Sequence, residues 1–238
     1  MKKLIFDIET VGEDFDSMDE LTQKSLTRWL KNESRGEQDY EQSLNQLKLN
    51  MGFSPLTGQV VAIGVLDADD GKGAVYFQSP DKEVASFEED GIKYEVMTES
   101  DMLKKFWELA LRYDEFITYN GRAFDVPFLM VRSAIHKIRP TKDLMKNRYT
   151  SYHSKDAVHV DLQDQLTFYG AVRKKGSLHL WTRAFGIESP KDGDISGEEV
   201  GIYYKAGKYL DIAKYNSRDL WATKSLYDYW NEYIRFNQ

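Results

Sequence analysis

The chain has 238 residues, of which 41% are hydrophobic, and this is enough apolar material for the core of one elaborated α/β domain. It contains no cysteine, which excludes disulfides and thiolate metal sites and leaves oxygen ligands or the four histidines for any metal. The formal net charge of -7 argues against a broad basic face for nucleic acid, although a narrow basic groove is compatible with it.

The N-terminus and the hydropathy of the chain predict where the protein works. Lys2 and Lys3 are followed by a short apolar run that ends at Asp7, so no secretory signal is expected. No stretch approaches the roughly 18 apolar residues that a membrane span needs. We therefore expect a cytoplasmic protein that makes no membrane contact.

The first half of the chain predicts a buried strand, a helical excursion and a hairpin. Residues 3–8 form an apolar run that ends in acids, as expected for a strand whose far end is polar. Residues 14–50 are polar and charged, with leucines at helical spacing, and are interpreted as a helical insertion. Residues 60–66 form a strongly apolar strand, and a turn at Asp69-Asp70-Gly71 joins it to a strand at residues 74–78.

The second half of the chain alternates helices with strands. Residues 100–113 carry apolar side chains on one helical face, and Ser100 is the predicted N-cap. The remaining predicted elements are strands at residues 115–119 and 157–162 and helices at residues 126–136, 177–186, 198–206 and 209–235, with boundaries approximate. Strands that alternate with helices after an initial hairpin predict a single α/β domain, residues 1–238, with a mixed sheet.

Two acids lie close together at the end of the first predicted strand. Asp7 and Glu9 are two residues apart, so their side chains point to the same face, whereas Phe6 and Ile8 point into the core. Two carboxylates forced together are destabilising unless a cation bridges them or one stays protonated, which favours a metal site. A solvated strand end is the alternative, and the spacing alone leaves both open.

Two later segments carry acids in suggestive positions. Asp125 follows the strand at residues 115–119 and lies at a helix start, where an N-cap role is the alternative to a metal-binding one. If that strand pairs with the first one, Asp125 would face Asp7 at the carboxyl ends of the strands, where ligands bind. Tyr215 and Asp219 are four residues apart in the last helix and so share a face, although an exposed acid beside a core tyrosine has the same spacing.

Taken together, these segments resemble the three exonuclease motifs of the DEDD superfamily. The motifs are Phe6-Asp7-Ile8-Glu9-Thr10, then Tyr119-Asn120 with Phe124-Asp125, then Tyr215 with Asp219. The histidine subclass would have a histidine five residues before the last aspartate, and Lys214 occupies that position, so the chain resembles the tyrosine subclass.

Within that subclass the chain is similar to the stand-alone relatives of the proofreading exonuclease domain of family-B DNA polymerases. The similarity extends to His159-Val160-Asp161-Leu162, to Ser177-Leu178, and to Phe185-Gly186-Ile187 before Gly193. It covers most of residues 1–10 and 57–230, and the insertion at residues 14–50 has no counterpart in it. The resemblance implies an α/β fold of the ribonuclease H-like kind, with a mixed five-stranded sheet flanked by helices.

The resemblance also implies a metal-dependent 3′-5′ exonuclease that uses two Mg²⁺ ions, for which Mn²⁺ can substitute. Asp7 would bridge the two ions, and Glu9 and Asp219 would complete the ion on the side of the nucleophile. Asp125 would hold the other ion through water. Tyr215 would orient the attacking water, since a phenol with a reference pKa near 10 is a poor base at pH 7.

A basic and aromatic stretch after the second motif predicts contacts to a single strand. Arg148 and Tyr149 lie in a run of cations and rings at residues 137–152, and Lys174 lies in a second basic run at residues 173–175. This composition offers phosphate contacts and base stacking, although a solvated loop is the alternative. The substrate-binding candidates are Thr10, Asn120, Arg122, Phe124, Arg148 and Lys174, and the Phe124 ring also suits the core.

Single-stranded DNA is the expected substrate, and only the resemblance favours DNA over RNA, because nothing in the sequence visibly tests for a 2′-hydroxyl. A 3′-5′ exoribonuclease with the same metal chemistry is one alternative. A non-catalytic nucleic-acid-binding scaffold on the same fold is another. The presence of all five expected catalytic groups argues against the scaffold.

Overall fold

The structure is a computed structural model that describes residues 1–187 and 196–236, so Gly193 lies outside the described residues. Within these ranges a mixed sheet is covered by helices on both faces. The strands are β1 Lys3–Gly12, β2 Gly58–Asp67, β3 Gly73–Phe77, β4 Phe87–Glu89, β5 Ile92–Val96, β6 Glu115–Thr118 and β7 Val158–Asp161. The helices are α1 Glu20–Thr27, α2 Leu30–Glu33, α3 Glu37–Asn50, α4 Glu99–Ala110, α5 Asp125–Ile135, α6 Leu162–Leu166, α7 Leu178–Ala184, α8 Val200–Lys205 and α9 Tyr209–Tyr233.

The sheet places β1 between an antiparallel and a parallel neighbour. Its strand order is β4-β5-β3-β2-β1-β6-β7, with β1 antiparallel to β2 and parallel to β6. Because β1, β6 and β7 are parallel, their carboxyl ends meet at one edge of the sheet. The predicted neighbour relation between the first strand and the strand at residues 115–118 is therefore observed.

The predicted mixed α/β sheet is confirmed, but the strand count needs a correction. The described residues contain a seven-stranded sheet rather than a five-stranded one, because β4 and β5 extend it beyond β3. These two strands form a hairpin around Asp90 and Gly91, which both have positive φ. Asp-Gly is a turn sequence that favours a tight two-residue hairpin, so the sequence did contain a signal for these strands.

The alternation of side chains along β1 divides the core into two layers. Phe6 and Ile8 belong to the cluster beneath α4 and α5. Ile5 belongs to the cluster on the opposite face, beneath α9. Asp7 and Glu9 therefore point toward α9, as the period of a strand requires.

The predicted start of α4 is wrong by two residues. The N-cap is Thr98, whose side chain accepts a hydrogen bond from the backbone N–H of Asp101, and Ser100 lies inside the helix. The shift lets Glu99 turn inward, where it binds Arg132 and the backbone N–H of Val60. Burial of this ion pair thus decides which of two good capping residues begins the helix.

The insertion at residues 14–50 is helical, as predicted, and contains α1, α2 and α3. None of the described side chains of α3 is buried, so this helix contributes little to the core. In the described ranges no helix combines the length and apolarity that crossing a membrane requires.

Candidate active site

Three carboxylates converge where β1 passes beneath α9. One oxygen from each of Asp7, Glu9 and Asp219 can be chosen so that all three lie within 4.8 Å of one another. Asp7 and Glu9 come from one strand, whereas Asp219 lies more than 200 residues later in the chain. The three side chains offer a set of oxygen ligands of the kind that hard divalent cations bind.

A glycine lets α9 approach the sheet closely at this point. Gly64 lies opposite Asp7 in the pairing of β1 with β2. A Cβ atom at position 64 would lie 2.0 Å from Oδ1 of Asn216, which is far inside van der Waals contact. The missing side chain at Gly64 therefore leaves the space that Asn216 occupies above Asp7.

Asn216 was not identified as a site residue from the sequence. Its Nδ2 donates a hydrogen bond to Oδ2 of Asp7 at 2.8 Å, and the residue is fully buried. Its Oδ1 has no hydrogen-bond partner among the described residues. The only signal in the sequence is its position directly after Tyr215, between the two residues of the third motif.

Asp125 does not cap its helix, which rules out the N-cap alternative. The N-cap of α5 is Phe124, and Asp125 is the first helical residue. Oδ1 of Asp125 instead accepts a hydrogen bond from the backbone N–H of Ile8 at 3.0 Å, which places it beside β1. There its negative charge raises the pKa of both Asp7 and Glu9. We call Asp7, Glu9, Asp125 and Asp219 the acidic site.

The acidic site is electrostatically strained in the absence of a cation. Burial, followed by repulsion from neighbouring carboxylates, raises the pKa of Asp7 and of Glu9 well above their ordinary values. Burial also raises the pKa of Asp125 to about 7, although the N–H of Ile8 opposes the shift. Bound divalent cations would neutralise these charges, so the donor set suits Mg²⁺ or Mn²⁺.

Tyr215 lies on α9 one turn before Asp219 and is largely buried. Burial, together with the negative charges of Glu9 and Asp219, raises the pKa of its phenol far above the ordinary value of 10. The hydroxyl therefore keeps its proton at neutral pH and can act as a hydrogen-bond donor or acceptor but not as a base. The guanidinium of Arg218 lies 5.9 Å from the centre of the ring.

Asp161 fixes the turn that leads to Asp125, and the sequence alone did not reveal this role. Its Oδ1 accepts from the backbone N–H of Asn120 at 3.0 Å, and its Oδ2 accepts from that of Arg122 at 2.9 Å. Asn120 has a φ of 63°, a conformation that asparagine tolerates better than most residues. The carboxylate at the end of β7 thus holds the second motif against the sheet.

Comparison with known proteins identifies the family to which the chain belongs. Residues 55–234 match the family described as a predicted 3′-5′ exonuclease related to the exonuclease domain of PolB. The chain belongs to this exonuclease family. The matched range contains β2 to β7 and all of α4 to α9, whereas β1 and the insertion precede it.

Two polymerases illustrate the similarity. A DNA polymerase of Desulfurococcus sp. (strain Tok) is 28% identical in an alignment over 147 residues, which covers 55% of this chain and 18% of the polymerase. The structure of the family B DNA polymerase from the hyperthermophilic archaeon Pyrobaculum calidifontis matches with a TM-score of 0.56 at 17% identity. That match covers 97% of this chain and 24% of the polymerase chain. The chain thus spans less than a quarter of each polymerase, and the structural match confirms the predicted fold class.

Two of the three basic residues predicted to bind substrate form ion pairs within the protein. Arg148 forms an ion pair with Asp164 at 2.6 Å, and Arg122 approaches the same carboxylate at 3.8 Å. Both arginines line a cavity of 270 Å³, and the basic residue that joins them there is Lys175 rather than the predicted Lys174. Lys174 itself is exposed. Binding of substrate by these cations stays a prediction.

The remaining substrate candidates lie close to the acidic site. Thr10 is buried, and its hydroxyl donates to the carbonyl of Gly52 at 2.7 Å, so it anchors the turn that follows the insertion. Asn120 is partly buried at the turn held by Asp161, and it lines the same cavity as the arginines. The half-buried ring of Phe124 packs against Phe128, so both the core and the substrate interpretations of this ring are compatible with its position.

Proposed function

We propose that this chain hydrolyses single-stranded DNA from its 3′ end and that the acidic site binds two Mg²⁺ ions for this reaction. The proposal rests on one observation, the approach of carboxylate oxygens from Asp7, Glu9 and Asp219 to within 4.8 Å of one another. Membership of an exonuclease family supports the reaction class. The oxygen-only donor set supports the choice of Mg²⁺, with Mn²⁺ as a substitute.

The four acids would have different roles as metal ligands. Asp7, whose carboxyl is repelled by each of the other three acids, would be the ligand that the two ions share. Glu9 and Asp219 would complete the coordination of one ion, and Asp125 would help to hold the other. When bound, divalent cations would lower the pKa of water and would stabilise negative charge on the leaving 3′-oxygen.

The other residues of the site would position reactants. Tyr215 stays neutral, so its hydroxyl would orient the attacking water through a hydrogen bond without accepting its proton. Asn216 would hold the carboxylate of Asp7 in place through its Nδ2. Asp161 would keep the turn of the second motif in register with β1.

The substrate would approach along the basic side of the second motif. Arg122 and Arg148 line one cavity near Asp161, and Lys174 follows in an exposed basic run. Contacts to phosphates carry no sequence information, so trimming is expected to be independent of sequence. The polymerase similarity favours DNA, whereas the site chemistry would serve RNA equally well.

The decisive experiment compares single-stranded oligonucleotides that carry a label at either end. With Mg²⁺, a 3′-labelled strand should release labelled mononucleotide at once, and a 5′-labelled strand should shorten stepwise, whereas EDTA should stop both reactions. Asp7→Asn protein, purified in parallel, controls for a contaminating nuclease. Faster digestion of a matched RNA strand would indicate the exoribonuclease. Binding without any Mg²⁺-dependent release would overturn the proposal in favour of the scaffold.

A further inference from the structure

The insertion rejoins the sheet directly beside the acidic site. The turn Met51–Phe53, which directly follows the insertion, packs against Gly12 at the end of β1. A Cβ atom on Gly12 would lie 2.8 Å from Cβ of Met51, and one on Gly52 would lie 2.9 Å from the nitrogen of Gly12. The two backbones therefore touch, and the hydrogen bond from Thr10 to Gly52 fixes them further. The return of the insertion is thus held firmly three residues after Glu9.

This attachment presents an aromatic ring next to the second motif. Phe53 is 45% exposed, and its ring packs edge-to-face against Phe124 with 6.3 Å between the ring centres. Phe124 immediately precedes Asp125 of the acidic site. Phe53 therefore contacts the residue that directly precedes one of the four acids.

The surroundings of Phe53 suit a base better than a phosphate. Phe53 lines a cavity of 100 Å³ that also contacts Thr10 and Gly12. The charged residues at this cavity are balanced in sign, with Lys48 and Lys205 opposed by Glu13 and Glu198. A balanced rim gives phosphate no net attraction, whereas an exposed ring face offers about 1 to 3 kcal/mol of stacking per base without regard to sequence.

We propose that Phe53 stacks on a base at the 3′ terminus of the single strand, so that the turn after the insertion forms one wall of the substrate cleft. This inference rests on the function proposed above and adds a role for the insertion and for the turn Met51–Phe53 that follows it. It explains why a large apolar ring stays half exposed at a turn whose backbone is tightly fixed. It also explains how a helix with no buried side chain, α3, serves the site, since it carries the chain back to this position.

The test uses Phe53→Ala with Leu56→Ala as its matched control. Leu56 is an apolar residue of the same segment that is 75% exposed and lines a different groove, beside Trp29. A strand with 2-aminopurine at its 3′ end, bound in Ca²⁺ to prevent cleavage, should be quenched by wild type and by Leu56→Ala and much less by Phe53→Ala. Phe53→Trp should restore the quenching.

A kinetic arm separates stacking from a structural role. In Mg²⁺ the kcat/KM of Phe53→Ala should fall by about 5- to 100-fold on an ordinary strand, as expected for the loss of one stacked base. The same variant should match wild type on a strand whose last residue is abasic. Equal losses on both strands, or wild-type quenching by Phe53→Ala, would overturn the inference. Quenching by wild type without cleavage would instead refute the proposed function and leave the stacking intact.

Discussion

Nδ2 of Asn216 donates a hydrogen bond to Oδ2 of Asp7 at 2.8 Å, which joins the first strand to the last helix across 209 positions of the chain. The pair lies above Gly64, where any side chain would collide with the amide. Asn216 is fully buried, and its other amide atom has no hydrogen-bond partner among the described residues. Its amide lowers the pKa of Asp7 and also that of Glu9, so its role is directed at both acids of β1.

Replacing Asn216 by alanine should weaken the site without unfolding the protein. A hydrogen bond to a charged group contributes about 1.5 to 3 kcal/mol, so we expect a roughly 10- to 100-fold loss in activity at fixed Mg²⁺. A Mg²⁺ titration of nucleotide release should show that more Mg²⁺ is needed. Asn231→Ala, an exposed change on the same helix, is the control and should behave as wild type. Unchanged Mg²⁺ dependence in Asn216→Ala would contradict a role in holding Asp7.

Asp7→Asn and Asp219→Asn should each lose activity by orders of magnitude while staying folded. Removing one charge relieves the repulsion that raises the pKa of the neighbouring carboxyls, so the melting temperature in EDTA should be unchanged or higher. Mg²⁺ should raise the melting temperature of wild type, because it binds only the folded chain, and should do so far less in either variant. Asp228→Asn, an exposed change on α9, should keep the full Mg²⁺ effect. A melting temperature that falls by the same amount in both active-site variants would point to structural roles.

Tyr215→Phe should separate chemistry from metal binding. The change removes the hydroxyl but not the ring, so the Mg²⁺-induced rise in melting temperature should equal that of wild type. The rate at saturating Mg²⁺ should fall by about 10- to 100-fold, less than for Asp7→Asn, as expected for the loss of one orienting group. Burial and nearby acids keep the phenol protonated, so titration of Tyr215 should not reduce wild-type activity between pH 7 and 9. A loss of activity in this range that is present in wild type and absent from Tyr215→Phe is not expected. Such a loss would show that the hydroxyl titrates.

Arg148→Ala and Lys174→Ala should weaken binding of single strands in a salt-dependent way. Each phosphate contact that is lost should reduce the slope of log affinity against log salt by about 0.7. Fluorescence anisotropy of a labelled strand in Ca²⁺ gives that slope. Lys93→Ala, an exposed change on β5 at the other end of the sheet, should leave it unaltered. If Lys174→Ala leaves the slope unaltered and Lys175→Ala lowers it, the cavity-lining lysine is the contact.

Glu99 gives a pH-dependent prediction that is independent of the site. Its burial raises the carboxyl pKa, but hydrogen bonds from Arg132 and from the N–H of Val60 outweigh this and lower the pKa below 4.5. The ion pair should therefore stabilise the fold fully above pH 4.5, and the stabilisation should be lost as the pH falls through the lowered value. Breaking a buried pair costs about 3 to 5 kcal/mol, so Glu99→Gln should lower the free energy of unfolding by about that amount at pH 7.

Urea unfolding at several pH values checks this prediction. The difference between wild type and Glu99→Gln should shrink steadily below pH 4.5. Glu108→Gln, an exposed change on the same helix, should show no such difference at any pH. A gap between wild type and Glu99→Gln that is independent of pH would mean that packing rather than charge explains the loss.

Local periodicity made part of the site predictable. The period of two along a strand places Asp7 and Glu9 on one face, and the helical repeat places Tyr215 above Asp219, whatever else the chain does. Turn chemistry would have added β4 and β5 through Asp90-Gly91. The helical character of residues 14–50 was equally readable, since it depends on spacing within the segment.

Packing between distant segments decided the rest. Asp125 occupies a position where an acid ordinarily caps its own helix, but the amide of Ile8 on the neighbouring strand binds it instead. Asp161 and Phe53 gain their positions only because β7 and the turn after the insertion lie near the carboxyl end of β1. Sequence spacing fixes the direction of a side chain within its own element. Which elements meet is set by burial of the whole core, so the hydrogen bonds from Ile8 to Asp125 and from Asn216 to Asp7 become visible only in the folded chain.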